Sequence, residues 1–297
     1  MTGRFYIDEV DALAAFGVRA TSYEGLVRFA PLKPVDVNDW PDENGIDPDL
    51  SSPALDSKEF TIDFSCSGDI SAFMNVLRSE AYHAFEFPDL GITRVLRLVS
   101  QPEYNNIRDL HVFSLSFVDD FPLNEYSYLT PDLNVTTDGF SIDTIDLSTY
   151  GMRIEYGVYK ELNKTPEIKQ NLTVGNAHVY GTVYDGENVY YKSKNIALRL
   201  LYSGAKSKFW RNYNALLYNL TRPGERVLRY GTSGLNYFYY LSSEVNKIAL
   251  LQGDRVWCQF QLNLCLTMAD PKLILLLTSE TGEVIVTEDN EFLIVLA

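Results

Sequence analysis

The chain has 297 residues, 46% of them hydrophobic, and its 25 Lys and Arg stand against 40 Asp and Glu for a net charge of −15. That length can bury two ordinary cores without disulfide or metal support, and the acidic balance argues against a nucleic-acid surface, which needs clustered cations. Cys66, Cys258 and Cys265 lack ligand-like spacing, and the longest apolar runs, residues 273–277 and 292–297, are too short for a membrane span.

The N-terminal Met1-Thr2-Gly3-Arg4 has no long apolar stretch behind it, so no signal peptide is expected and the protein is read as soluble. Ile7-Asp8 and Asp11, then Phe16-Gly17-Val18-Arg19, open the chain, and they return as Ile142-Asp143 and Asp146, then Tyr150-Gly151-Met152-Arg153. Each set predicts a short strand and a loop in which the glycine takes a backbone geometry that a Cβ would resist. The recurrence of Ile-Asp with a second Asp three residues on points to a capped turn and away from hydrolase carboxylates, which would also need a cleft.

A variable section follows in each half, bounded by Pro31-Leu32-Lys33 and by Pro166-Glu167-Ile168-Lys169. In the first half it holds the acidic residues 36–49. An EF-hand register with Gly45 at the glycine position would place Trp40 and Ser51 where carboxylates are required, so that match fails. A looser calcium site from Asp42, Asn44, Asp47 and Asp49 stays open beside the simpler reading of a solvated loop with turn residues. Trp40 either anchors this loop on its domain or meets a partner, and the anchor is preferred.

Ser57-Lys58 followed by Phe60, Ile62, Phe64 and Gly68 returns as Ser193-Lys194 followed by Ile196, Leu198, Leu200 and Gly204. The period of two predicts a half-buried strand with the same inward parity in both halves, and it places Cys66 and Cys258 inside as reduced thiols. Helices are predicted next, near residues 70–84 (Ile70, Phe73, Met74, Leu77, Ala81) and 205–220 (Phe209, Tyr213, Leu216, Leu217, Leu220), each with one buried face. Val95-Leu96-Arg97 recurs as Val227-Leu228-Arg229, and Phe113, Leu115, Phe117 as Phe260, Leu262, Leu264. The fold class is therefore mainly β (α+β): two tandem β-sandwich or small-barrel domains, each with one packed helix, plus a C-terminal β-meander. The boundaries are residues 1–120, a linker 121–137 with Pro122 and Pro131, a second domain 138–270, and an extension 271–297. That extension has strand-like runs at 273–277, 284–287 and 292–296, apolar enough to need a cover. Leu275 and Phe292 stand for this face among the interface candidates.

His83, His111 and His178 come singly, and the sequence shows no zinc motif, nucleophile elbow or phosphate loop, so neither an enzyme nor a cofactor or metal is expected. Tyr237-Phe238-Tyr239-Tyr240 could form a sugar platform or a protein interface, with Tyr237 and Tyr239 the candidates. In an alternating strand the same cluster also reads as core on one face and edge packing on the other, which is the better fit. Charge divides unevenly. Residues 1–135 hold 9 basic against 23 acidic groups (−14), residues 136–270 hold 15 against 12 (+3), and the last 27 hold 1 against 5 (−4). Either the two halves face different surroundings or their solvated surfaces have drifted apart.

The Ile-Asp opening that leads to Phe16-Gly17-Val18-Arg19 and to Tyr150-Gly151-Met152-Arg153 resembles the start of phage distal-tail and tail-tube-like proteins, baseplate hub proteins with two tube-like domains among them. The order of sandwich plus one helix resembles the tail-tube fold. That resemblance implies a non-enzymatic structural protein of a phage or prophage tail, located in the virion and assembled in the host cytoplasm. It also implies self-association into a ring of three or six chains around a DNA channel, and contacts with other tail proteins. An acidic lining would let DNA slide without specific binding, and no membrane insertion is expected. Two tube-like copies in one chain depart from the distal-tail pattern. The alternative is a carbohydrate- or protein-binding module of a bacterial surface or secreted protein.

Overall fold

Strand parity builds the first sheet. In the computed structural model Lys58–Cys66 alternates so that Phe60, Ile62, Phe64 and Cys66 are all buried, as the period of two requires. The structure describes residues 3–100, 104–107, 110–123, 128–131, 139–170, 173–175, 177–178, 180–181, 183–184, 188–231, 234–251, 254–268, 275–276 and 294–295.

The first half runs β1 (Tyr6–Ile7), β2 (Val10–Asp11), α1 (Ala12–Phe16), β3 (Val18–Ala20), α2 (Glu24–Val27), β4 (Val37–Asn38), β5 (Asp47–Pro48), β6 (Lys58–Cys66), α3 (Ile70–Leu77), β7 (His83–Phe87), β8 (Ile92–Leu98), β9 (Tyr104–Ile107) and β10 (Leu110–Asp119). The second runs β11 (Phe140–Ile142), β12 (Ile145–Asp146), a 3-10 turn (Leu147–Tyr150), β13 (Met152–Ile154), α4 (Val158–Leu162), β14 (Thr173–Val174), β15 (Val183–Tyr184), β16 (Lys194–Ala205), α5 (Lys206–Leu220), β17 (Arg226–Tyr230), β18 (Gly234–Leu251) and β19 (Arg255–Met268). Two sheets dominate. Their orders are β2-β1-β7-β8-β10-β6-β3, with β9 added beside β10, and β12-β11-β17-β18-β19-β16-β13. Position by position these are the same order, and the protein is a mainly β fold of two such units.

Register confirms the equivalence. Phe113, Leu115 and Phe117 of β10 oppose Phe64, Ile62 and Phe60, while Phe260, Leu262 and Leu264 of β19 oppose Leu200, Leu198 and Ile196. Val18 opposes Cys66 as Met152 opposes Tyr202. The repeated aspartates explain themselves as corners. Asp11 caps α1 by accepting from the Leu13 and Ala14 amides, and Asp146 caps the 3-10 turn by accepting from that of Ser148. Each short helical turn ends on a left-handed glycine, Gly17 at φ 70° and Gly151 at φ 71°. Asp8 and Asp143 also have positive φ, and they tie the corner to the neighbouring strand. Asp8 accepts from the Ala84 amide at 2.8 Å and Asp143 from the Val227 amide at 3.0 Å.

Those two bonds overturn one expected match. They make Val227 the counterpart of Ala84, so β17 corresponds to β7, and the likeness of Val95-Leu96-Arg97 to Val227-Leu228-Arg229 joins non-equivalent strands. Three residues of apolar-apolar-basic text recur by chance on amphipathic strands, whereas the longer runs do not. The helices do occupy equivalent places. Phe73 of α3 packs on Phe113 and Tyr213 of α5 on Phe260, the same position in each sheet. α3, capped by Asp69, ends at Leu77 instead of continuing to residue 84, because Ser79, Glu80 and Ala81 are exposed and give the helix nothing further to bury.

One hydrophobic cluster runs through both units, from Phe5 and Phe64 to Phe260 and Leu264. In the C-terminal extension β20 (Leu275–Leu276) pairs antiparallel with β21 (Ile294–Val295), so its first and last runs meet, and the run at 284–287 lies outside the described residues.

Candidate assembly interface at the seam of the repeats

The two units are joined by an arm of the first, the segment between β3 and β6, laid on β18 and β19 of the second. Phe29 is its anchor. The ring is buried, 4.1 Å from Tyr213 between centroids, and it also meets Tyr240 and Phe260 nearly edge-on. Backbone bonds then run along the arm. The Phe29 amide donates to Ser243 Oγ at 2.8 Å, the Tyr240 hydroxyl to the Ala30 carbonyl at 2.9 Å, and the Leu32 amide to the Leu241 carbonyl at 2.8 Å. The ladder between β18 and β19 shifts register between Tyr240 and Ser242, which frees the Leu241 carbonyl for the arm. Burial pushes the Tyr213 and Tyr240 phenols far up, so both stay neutral, Tyr240 as a donor to the arm and Tyr213 as a packed ring whose hydroxyl meets no partner among the described residues.

Further along, the acidic loop closes on the second unit around Lys169. This buried ammonium donates to the Trp40 carbonyl at 2.7 Å and the Gly45 carbonyl at 2.6 Å, and it pairs with Asp39 at 2.6 Å. The Asn44 side chain accepts from the Tyr191 amide at 2.9 Å, and the Ile46 amide donates to the Thr267 carbonyl at 2.9 Å. Gly45, at φ +74°, makes this approach possible, because a Cβ there would stand 1.9 Å from the Thr267 carbonyl oxygen. Gly45→Ala should therefore detach the loop and cost about 1–3 kcal/mol. Faster proteolysis and hydrogen exchange within residues 39–46, with the rest of the chain unchanged, would report it.

The repeated Ser-Lys pair has a positional role. Lys58 Nζ donates to the Leu26 and Arg28 carbonyls at the end of α2, both at 3.0 Å. In the second unit Lys194 Nζ donates to the Leu162 carbonyl at 3.1 Å and the Lys164 carbonyl at 2.5 Å at the end of α4, and also to that of Glu161. A lysine thus closes the orphan carbonyls of a short helix in each copy. Lys58 is fully buried beside the seam, where a cavity of about 40 Å³ is lined by Phe29, Arg94, Asp119, Trp210 and Tyr213 among others, room for a water or two. Desolvation, with Arg94 and Arg28 adding to it against Asp119, lowers its pKa to about 7.

Of the candidates read from sequence, Trp40 keeps its ring 55% exposed while its carbonyl holds Lys169, so the backbone anchors the loop and the indole does not. Tyr237 is exposed, whereas Tyr239 is buried against Leu50 and Cys265 beneath the arm, and Phe238 and Tyr240 are core. The cluster is thus mostly seam and core, and only Tyr237 of its four rings could meet a sugar. Asp42, Asn44, Asp47 and Asp49 do not converge. Asn44 is engaged by Tyr191, Asp49 accepts from Ser51, and no group of three or more His, Cys, Asp or Glu able to hold a metal occurs among the described residues. Leu275 lies on β20, and Phe292 is outside the described residues. Sequence reasoning missed Phe29 and Lys169, which no periodicity marks. The Lys58 and Lys194 pair was visible as a repeat without its meaning.

No family model matches this chain, and no curated protein matches it. Among solved structures it is similar to SPP1 Dit (gp 19.1), described as a paradigm of the hub adsorption apparatus in phages that infect Gram-positive bacteria. The two share 10% identity at a TM-score of 0.30, over 88% of this chain and 97% of that one.

Proposed function

We propose that this protein is a structural component of a phage or prophage tail, a distal-tail or baseplate adaptor whose repeated units form an oligomeric ring or channel with other tail proteins. One observation carries the reading. The chain contains two copies of one antiparallel sheet, joined by a built arm-on-sheet contact with a shared core, so its architecture consists of units made to be added to one another. The Ile-Asp and aromatic-Gly-apolar-Arg motifs that resemble tail proteins form the same capped corner in both copies. The most acidic unit supplies a surface that DNA would pass without binding. Conspicuous acids have structural partners: Asp8 and Asp11 hold the first corner, Asp143 and Asp146 the second, and Asp120 pairs with Arg97 at 2.8 Å.

The test is composition of the particle. Tailed particles induced from the host that encodes this sequence should contain the protein by mass spectrometry, and antibody label should fall at the tail tip. Tailed particles that lack it, or a hydrolytic turnover lost on changing a single acidic residue, would overturn the proposal.

A further inference from the structure

The contact inside the chain uses a donor segment on the first unit and an acceptor strand on the second, and each unit contains both. The donor is preformed in the second unit. Its bridge Ile168↔Tyr191 matches Leu32↔Leu55 of the first. The Lys169 amide donates to Tyr190 at 2.7 Å as that of Lys33 does to Ala54 at 2.8 Å, and Lys192 to Glu167 as Asp56 does to Pro31, both at 2.8 Å. Lys194 closes α4 as Lys58 closes α2. Yet the part of this second donor that precedes Lys169, which the first unit's loop holds, is uncovered. Where Val27, Phe29 and Ala30 are buried, Asn163 and Thr165 are exposed and Pro166 only half-buried, and Ile168, the counterpart of Leu32, is 56% exposed.

The acceptor repeats in the same way. Leu98 opposes Phe117 as Tyr240 opposes Leu264, so the first-unit counterpart of the Tyr240–Ser243 docking stretch begins at Leu98 and continues through Val99 and Ser100. Val99 is 40% exposed there. On the acceptor the Val99 amide and Ser100 hydroxyl are taken by Ser116, which leaves the exposed Val99 side chain as the free face. The exposed Ile168 on a unit of charge +3 and the exposed Val99 on a unit of charge −14 complement each other. Within one chain the first donor lies on the second acceptor, and the second donor and the first acceptor are left without each other.

We propose that the Val158–Leu162 helix with the following residues 163–168 docks on the Leu98–Ser100 stretch of a second copy of this chain, joining chains head to tail through a repetition of the internal seam. The inference rests on the assembly reading above and specifies its contact. Such a heterologous interface propagates, closing into a ring or running on as a filament according to the rotation per step. Thr165 in place of the Phe29 anchor makes the contact between chains weaker than the one within, so association should depend on concentration.

The test uses the full chain with Ile168→Arg, Val99→Arg, and single-cysteine additions Ile168→Cys and Val99→Cys. Light scattering should show the wild type associating as concentration rises, and each arginine variant, both at exposed positions, should need roughly ten-fold more protein. A short bismaleimide should link Ile168→Cys to Val99→Cys in a mixture far more than either variant to itself, and more than a Tyr156→Cys control on the fully exposed Tyr156. Association that survives both arginines without the mixed cross-link overturns this contact and leaves the assembly reading standing. A wild type that is monomeric at every concentration and absent from tailed particles overturns both, and one that is monomeric in solution, present in particles, yet never cross-linked within them overturns the contact alone.

Discussion

Phe29→Ala should cost about 3–5 kcal/mol, as buried Phe truncations do, and should change the shape of unfolding as well as its midpoint. The ring fills a pocket made by Tyr213 of α5, Tyr240 of β18 and Phe260 of β19, all belonging to the other unit. A cavity there removes packing from the one place where the two sheets share a core. Urea unfolding of the wild type should be a single transition, since two units with a common core open together. Phe29→Ala should separate into two transitions, because each sheet retains its own helix and inner residues while the coupling between them falls. Ser243→Ala, which removes only the hydroxyl that receives the Phe29 amide, should cost about 1 kcal/mol and keep one transition. A Phe29→Ala protein with wild-type midpoint and a single transition would show that the arm does not bind the units together.

The repeat was legible in the sequence where side chains alternate or turn. Strand parity over Phe60 to Cys66 and Ile196 to Tyr202 placed β6 and β16 in equivalent registers, and the repeated Ile-Asp and Gly-apolar-Arg corners fixed β1, β2 and β3 against β11, β12 and β13. Those features are local, so a short stretch of chain determines them. The middle of each copy was read less well. Val95-Leu96-Arg97 and Val227-Leu228-Arg229 look alike because any strand with one buried and one solvated face tends to this text, and only pairing to Asp8 and Asp143 shows which strand is which.

The seam was not legible at all. Phe29 and Leu32 lie in a segment without periodicity, and their partners are some two hundred residues away on the other unit. Lys169 stood in the sequence only as the last residue of a section boundary, but carbonyls of a distant loop surround it. The Tyr237 to Tyr240 run was the nearest signal. It read as core or platform because the sequence contains nothing to say that a separate arm would lie over Tyr239 and bond to Tyr240.

Lys58→Met should abolish the climb of stability with pH near neutrality. With its pKa lowered to about 7 by burial and by Arg94, against about 10.4 in the unfolded chain, Lys58 is protonated in both states below pH 7. There the fold carries the full cost of an ammonium out of water. Above pH 7 the folded chain releases a proton that the unfolded chain keeps, so this residue makes stability climb with pH at up to 1.4 kcal/mol per unit, on the order of 2 kcal/mol by pH 8.5. The climb ends near there, because burial holds the Cys258 thiol protonated in the fold while an unfolded thiol ionises, and that linkage has the opposite sign. Methionine has no charge to bury, but it leaves the Leu26 and Arg28 carbonyls without their donor, a loss of about 1–3 kcal/mol at any pH. At pH 6 the two changes should nearly offset. At pH 8.5 the variant should be the less stable by about 2 kcal/mol, because the wild-type amine is then neutral and still donates. Urea titrations at pH 6, 7, 8 and 8.5 check this: parallel curves for the two proteins would mean that Lys58 stays charged in the fold, with Asp119 and the two carbonyls holding the proton against desolvation.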